Sequence, residues 1–119
     1  MTKIIRIAPG VYFEQEVEVL SIDRGLSFEV IEELIGTYRI GIVSPVFLQT
    51  MYSESAVMII NDIGAMILGI EHNQLASHLY GGDIYGTVLI AKRSGENIVG
   101  LNNADALYED LMKARRRKL

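Results

Sequence analysis

The sequence predicts an α+β domain, a mainly antiparallel β-sheet with two helices packed on it. Half of the 119 residues are hydrophobic, enough for a chain of this length to bury a core without covalent staples. Several short apolar runs are separated by turn residues rather than by long crossovers. Only two segments carry a sustained helical period, so few helices lie between strands that could pair in parallel.

The elements follow in chain order. "KIIRIA" reads as a strand that Pro9-Gly10 ends, by removing a backbone donor and permitting unusual dihedrals. "EVEVLSI" alternates Val17 and Val19 with Glu16 and Glu18, the pattern of a strand with one wet face. In "SFEVIEELIG" Ser27 is placed to cap a helix whose face carries Phe28, Ile31, Leu34 and Ile35, and Gly36 terminates it. "TYRIGIVSPVFLQTMY" reads as a strand, a break at Ser44-Pro45, and a second strand or extended edge. "AVMII" and "AMILGI" flank Asn61–Gly64, which signals a hairpin. "EHNQLASHLY" favours one or two helical turns, "DIYGTVLIAK" a strand, and "RSGEN" a turn into the short strand "IVGL". Asn103 is placed to cap the last helix, whose apolar stripe is Leu107, Tyr108 and Leu111. Its acids come early and its bases late, as the helix dipole favours. Residues 1–112 form a single domain in this reading, with 113–119 as a basic C-terminal helix end or tail.

Charge divides the chain in two. Residues 1–112 hold 6 Lys and Arg against 15 Asp and Glu, a net of −9, and "KARRRKL" adds +5. The acidic body repels nucleic acid, so only Lys113, Arg115, Arg116, Arg117 and Lys118 offer phosphate contacts. No stacking aromatics accompany that tail. With no cysteine, disulfides and thiolate metal sites are excluded, which agrees with a reducing cytoplasm. The apolar runs fall far short of the ~20 residues that a membrane-spanning helix needs, and "MTKIIRIAPG" has no long apolar signal core.

Candidate sites are sparse. "YGGDIYG" sets Tyr80, Gly81, Gly82, Asp83 and Tyr85 just before a strand. The simpler reading is a corner, with glycines supplying positive φ where a helix ends. The functional reading is a nest of Gly81 and Gly82 amides that binds an anion, oriented by Asp83 or Tyr85. Neither a dinucleotide fingerprint nor a phosphate-binding loop matches the spacing. His72 and His78, with Glu71, Asp62 or Asp83, are the possible metal or acid–base set, but a spacing of six does not align two imidazoles on one helix face. Solvated histidines are the simpler reading. Nucleophilic motifs do not occur, and Ser77-His78 is a dipeptide, not a triad. Tyr12, Phe13, Phe47, Met51 and Tyr52 lie in segments of weak period and suggest either core or an oligomer or partner surface.

The run Asn61–Lys92 resembles a family of small domains found in phages, plasmids and other mobile elements, the domain-of-unknown-function family 3846. The pattern is a hairpin turn (Asn61–Gly64), a polar segment with Asn73, then Gly81–Asp83 and an apolar strand with an early glycine (Gly86–Ile90). "KIIRIAPG" and the helix after the second strand also fit, whereas residues 44–56 and the basic tail depart from it. The family carries no assigned chemistry. The resemblance implies a non-enzymatic accessory protein, in the host cytoplasm if phage-encoded, that binds and inhibits a host protein, a defence factor. The alternatives are an oligomeric protein that binds or sequesters a small nucleotide, and a nucleic-acid accessory acting through the tail. A homo-oligomer is expected; no cofactor, metal or membrane is.

Overall fold

The computed structural model describes residues 2–11, 14–37, 39–63 and 69–117, which form one antiparallel sheet with helices on both faces. The elements in order are β1 (Thr2–Ile7), β2 (Val17–Ile22), α1 (Phe28–Ile35), β3 (Ile40–Val43), α2 (Val46–Met51), β4 (Ala56–Asn61), α3 (Gln74–Tyr80), β5 (Val88–Ser94), β6 (Asn97–Val99) and α4 (Ala104–Arg117). The strand order is β2-β1-β5-β4-β3. β6 folds back on β5, pairing Lys92 with Val99 and Ser94 with Asn97. β1 pairs the earlier part of β5, Val88 to Ile90. β6 and β1 therefore lie end to end along one side of β5.

The α+β class holds, but among the described residues four helices pack on the sheet where two were expected, and they occupy both faces. On one face Ile5, Met58, Val88 and Ile90 meet Leu48 of α2, Leu75 and Leu79 of α3, and Leu107 and Leu111 of α4. On the other, Ile4, Val57, Ile59 and Leu89 meet Ile31 and Ile35 of α1. The cause is visible in β4 and β5. Ala56 to Ile59 and Val88 to Ala91 are buried at every position, not at alternate ones, and a strand with no polar alternation needs cover on both sides.

The segment after Ser44-Pro45 is helical, not extended. Pro45 is the N-cap, with φ −63, and its carbonyl accepts from the Gln49 N–H at 3.1 Å. Leu48 is fully buried and Met51 packs against the same core, a spacing of three that suits a helix. In α1, Ser27 accepts from the Val30 N–H at 3.3 Å and Gly36, at φ 90, closes the helix. The buried face of α1 is Val30, Ile31 and Ile35, while Phe28 is 58% exposed. β2 keeps its predicted alternation: Val17 is buried, and Glu18 on the other face takes Arg6 Nη1–H at 2.9 Å.

Asn103 precedes α4 at φ 54, its carbonyl accepting from Ala106 and Leu107, and Leu107 and Leu111 form the buried stripe. α4 continues through Arg117, so the basic end is the last turns of a helix. Most of "AMILGI", the second half of the predicted hairpin, lies outside the described residues, as do Tyr12 and Phe13; β4 pairs with β3 and β5. Among the described residues no helix is long and apolar enough to cross a membrane.

Two closures tie distant segments together. Leu101 N–H donates to Lys3 O at 2.7 Å where β6 runs into the start of β1. A Cβ on Gly100 would lie 3.0 Å from Thr2 Cγ2 and 3.1 Å from Lys3 N. Gly100→Ala therefore forces backbone apart and lowers unfolding free energy by ~1–3 kcal/mol, read as a drop in denaturation midpoint. Tyr52, at the end of α2, donates its hydroxyl to Asn102 O. Burial raises the Tyr52 hydroxyl above its ordinary 10. The neutral phenol is the form the fold prefers, so its contribution is complete below pH 10 and is lost as pH rises through the raised value. Tyr52→Phe should be less stable than the parent by ~1 kcal/mol at neutral pH, and the gap between them should narrow above pH 10 in parallel melts.

Candidate functional site

The candidate residues sit around α3, which is held by a buried polar network. Asn73, Gln15 and Ser77 are the buried polar residues among those described. Asn73 is the N-cap: its Oδ1 accepts from the Ala76 N–H at 3.1 Å and from Gln15 Nε2–H at 2.6 Å. Its Nδ2 donates to Ile7 O at 3.1 Å and Gly86 O at 2.9 Å. All four hydrogen-bonding positions of the side-chain amide are filled. Gln15 adds a bond to Ala8 O at 2.8 Å and accepts from the Leu75 N–H at 2.9 Å. The network joins the end of β1, the following loop, α3 and the segment that leads into β5.

The corner itself is a helix stop. The Gly81 and Gly82 N–H groups both donate to Ser77 O, at 2.8 and 3.2 Å, and Gly81 sits at φ 86. Left-handed backbone is why glycine stands there. These amides close α3, so they are not a free anion nest. Beyond them Ser77 Oγ accepts from the Ile84 N–H at 2.8 Å and lies 3.2 Å from Ile84 O.

Asp83, Tyr85 and His72 do come together. His72 Nε2 is 3.2 Å from Asp83 Oδ1 and 3.0 Å from Ser77 Oγ, and its ring meets Tyr85 edge-on at 5.1 Å between centroids. A carboxylate only accepts, so the bond to Asp83 places the proton on Nε2 and leaves the Ser77 hydroxyl proton for Ile84 O. The three residue types of a hydrolytic triad are present, but serine and carboxylate meet the same ring nitrogen. A triad needs them on opposite nitrogens. Ser77 is thus anchored, not activated. Among the described residues no three His, Asp or Glu side chains are grouped to hold a metal.

Tyr80 is 45% exposed beside Gly82, and His78 stacks edge-on with Phe47 of α2, 5.9 Å between centroids. Val46 is 74% and Phe47 40% exposed. Neither α2 nor α3 contains Asp, Glu, Lys or Arg. This uncharged apolar border to the corner was missed in the sequence because α2 reads there as extended chain; its signal was the absence of charge over two adjacent segments. Gln15 was missed because its partner Asn73 is 58 positions away.

In the tail, Lys113 is exposed, whereas Arg115 is half-buried and donates to Gln15 O at 2.5 Å. The side chains of Arg116 and Arg117, and all of Lys118, lie outside the described residues. A cleft of about 720 Å³ opens elsewhere, between the start of α1 and β6, lined by Arg24, Ser27, Glu29, Glu33 and Ile98. Arg24 and Glu33 are paired there at 2.9 Å. Comparison with known proteins finds no matching family model, curated protein or solved structure.

The network predicts a ranking of stabilities. Asn73→Ala leaves buried partners from four segments unpaired and should cost ~3 kcal/mol or more. Gly81→Ala meets no atom within 4 Å and carries only the left-handed backbone penalty, ~1 kcal/mol. Denaturant titration of the two variants checks the order, and a larger loss for Gly81→Ala contradicts it.

Proposed function

We propose that this chain is a non-enzymatic binding protein of a phage or mobile element, and that it captures and inhibits a host protein, a defence factor, in the host cytoplasm. The mobile-element context rests on the resemblance of Asn61–Lys92. The observation that carries the binding reading is the uncharged surface of α2 and α3. Val46, Phe47 and Tyr80 are exposed there, on two helices without a formal charge, in a chain of net charge −4. Aromatic enrichment with charge depletion marks the centre of protein–protein contacts. The groups that suit chemistry support the same reading, because Ser77, His72 and Asp83 are bonded to one another and to the backbone.

The two alternatives have less support. A nucleotide held by the Gly81 and Gly82 amides would have to displace Ser77 O, and Arg115 is engaged by Gln15, which leaves the tail one cation fewer for nucleic acid.

The partner is expected to rest on Phe47 and Tyr80, with Asp83 and Tyr85 at the rim. Phe47→Glu and Tyr80→Glu should each weaken capture of the cross-linked host partner by about 2 kcal/mol, roughly thirtyfold, with an unchanged melting temperature. Because Arg115 donates to Gln15 O and Ala114 is buried, the tail is tested by charge, not by truncation: changing Lys113, Arg116, Arg117 and Lys118 together to Gln should leave capture intact. Capture that survives both glutamates, or fails only in the Gln variant, would place the contact elsewhere.

A further inference from the structure

We propose that the outer edge of β3 pairs with β3 of a second copy of this chain, so that one antiparallel sheet runs through a two-fold dimer. This stands apart from the host-partner surface, since it concerns the main chain of the edge strand.

The register of β3 shows which groups are free for pairing. Asp62 N–H donates to Arg39 O at 2.9 Å, so that pair is a hydrogen-bonded one. In an antiparallel ladder bonded and non-bonded pairs alternate. Gly41 with Ile60, and Val43 with Met58, are therefore bonded, and Ile40 with Asn61 and Ile42 with Ile59 are not. The N–H and C=O of Ile40 and Ile42 point away from β4, and among the described residues no strand pairs with that side. An open ladder edge is a template for another strand unless charge, proline or a bulge protects it. β3 carries none of these within its span, and from Ile40 to Ser53 the chain has no charged residue.

Charge and symmetry select the second copy as occupant. The other edge of the sheet, β2, carries Glu18, already paired with Arg6, and follows directly on Glu16, so two such edges would bring carboxylates towards each other. Pairing β3 to β2 would be head-to-tail and would not close. Pairing β3 with itself closes after two copies and sets no charged residue of Ile40–Val43 against another; the Asp62 carboxylate of each copy lies beside Gly41, next to the axis. A two-fold at Gly41 sets Ile40 opposite the second copy's Ile42, joining both residues' free groups in four hydrogen bonds.

The test is sedimentation of the full chain over a concentration series, with amide hydrogen exchange at two concentrations about a hundredfold apart. The expected result is a dimer in which the Ile40 and Ile42 amides slow as the dimer fraction rises. Ile42→Pro removes an outward N–H and leaves every β3–β4 bond in place; it should raise the dimer dissociation constant at least tenfold, an effect of about 1.4 kcal/mol. Ile42→Thr keeps the amide and should still dimerise. A chain that stays monomeric throughout, or a dimer whose Ile40 and Ile42 amides exchange at equal rates at both concentrations, overturns the proposal. So does protection of these amides only when a different protein is added. The exchange measurement on the unsubstituted chain decides the matter even if Ile42→Pro does not fold.

Discussion

One buried amide organises the side of the molecule that carries the candidate site. Asn73 is fully enclosed, and each of its four hydrogen-bonding positions is matched to a group from a different place in the chain: Ile7, Gln15, Ala76 and Gly86. A buried polar side chain is tolerated only on such terms. It starts α3, fixes where β1 stops, and holds the chain that leads into β5. The corner at Gly81–Asp83, the His72–Asp83 pair and the Ser77 anchor all lie on segments whose positions this amide sets.

The sheet imposes the second constraint. β5 is its centre, flanked by β4 on one side and by β1 and then β6 on the other. Its residues Val88 to Ala91 are all buried, and a single layer of helices would leave half of them wet. α1 covers one face and α2, α3 and α4 share the other. Because α1 is short, the rims of its face, Leu20 and Ile22 on β2 and Ile40 and Ile42 on β3, remain partly exposed. The two rims differ in chemistry: the β2 side bears carboxylates and the β3 strand itself bears none.

Much of the fold was legible in the residues. The strands of β1, β2, β4 and β5, the caps Ser27 and Gly36, and the Leu107–Leu111 stripe follow from local pattern and hold in the structure. The failures share a cause. α2 reads as extended because Val46 and Phe47 favour strands in isolation, while the fact that makes it helical is tertiary: Leu48 and Met51 must reach one core. Phe28 was placed inside by its spacing, yet the sheet presents its surface to Val30 instead. At the candidate site, the glycine corner was readable as a stop because positive φ is a local property. The network was not, since Gln15 meets Asn73 across 58 positions. Nor was the His72–Asp83 contact, which depends on how α3 folds the intervening residues back.

The place of β1 in the sheet has a consequence for biosynthesis. Ile5 pairs with Ile90 on one side and Val19 on the other. A nascent chain can close the β1–β2 ribbon early, but the second flank of β1 waits until β5 has been made. At roughly 5–20 residues per second this leaves that ribbon one-sided for several seconds on the ribosome. Its apolar flank is then open to any neighbouring strand, so the newborn polypeptide is most vulnerable to mispairing just before its last third emerges.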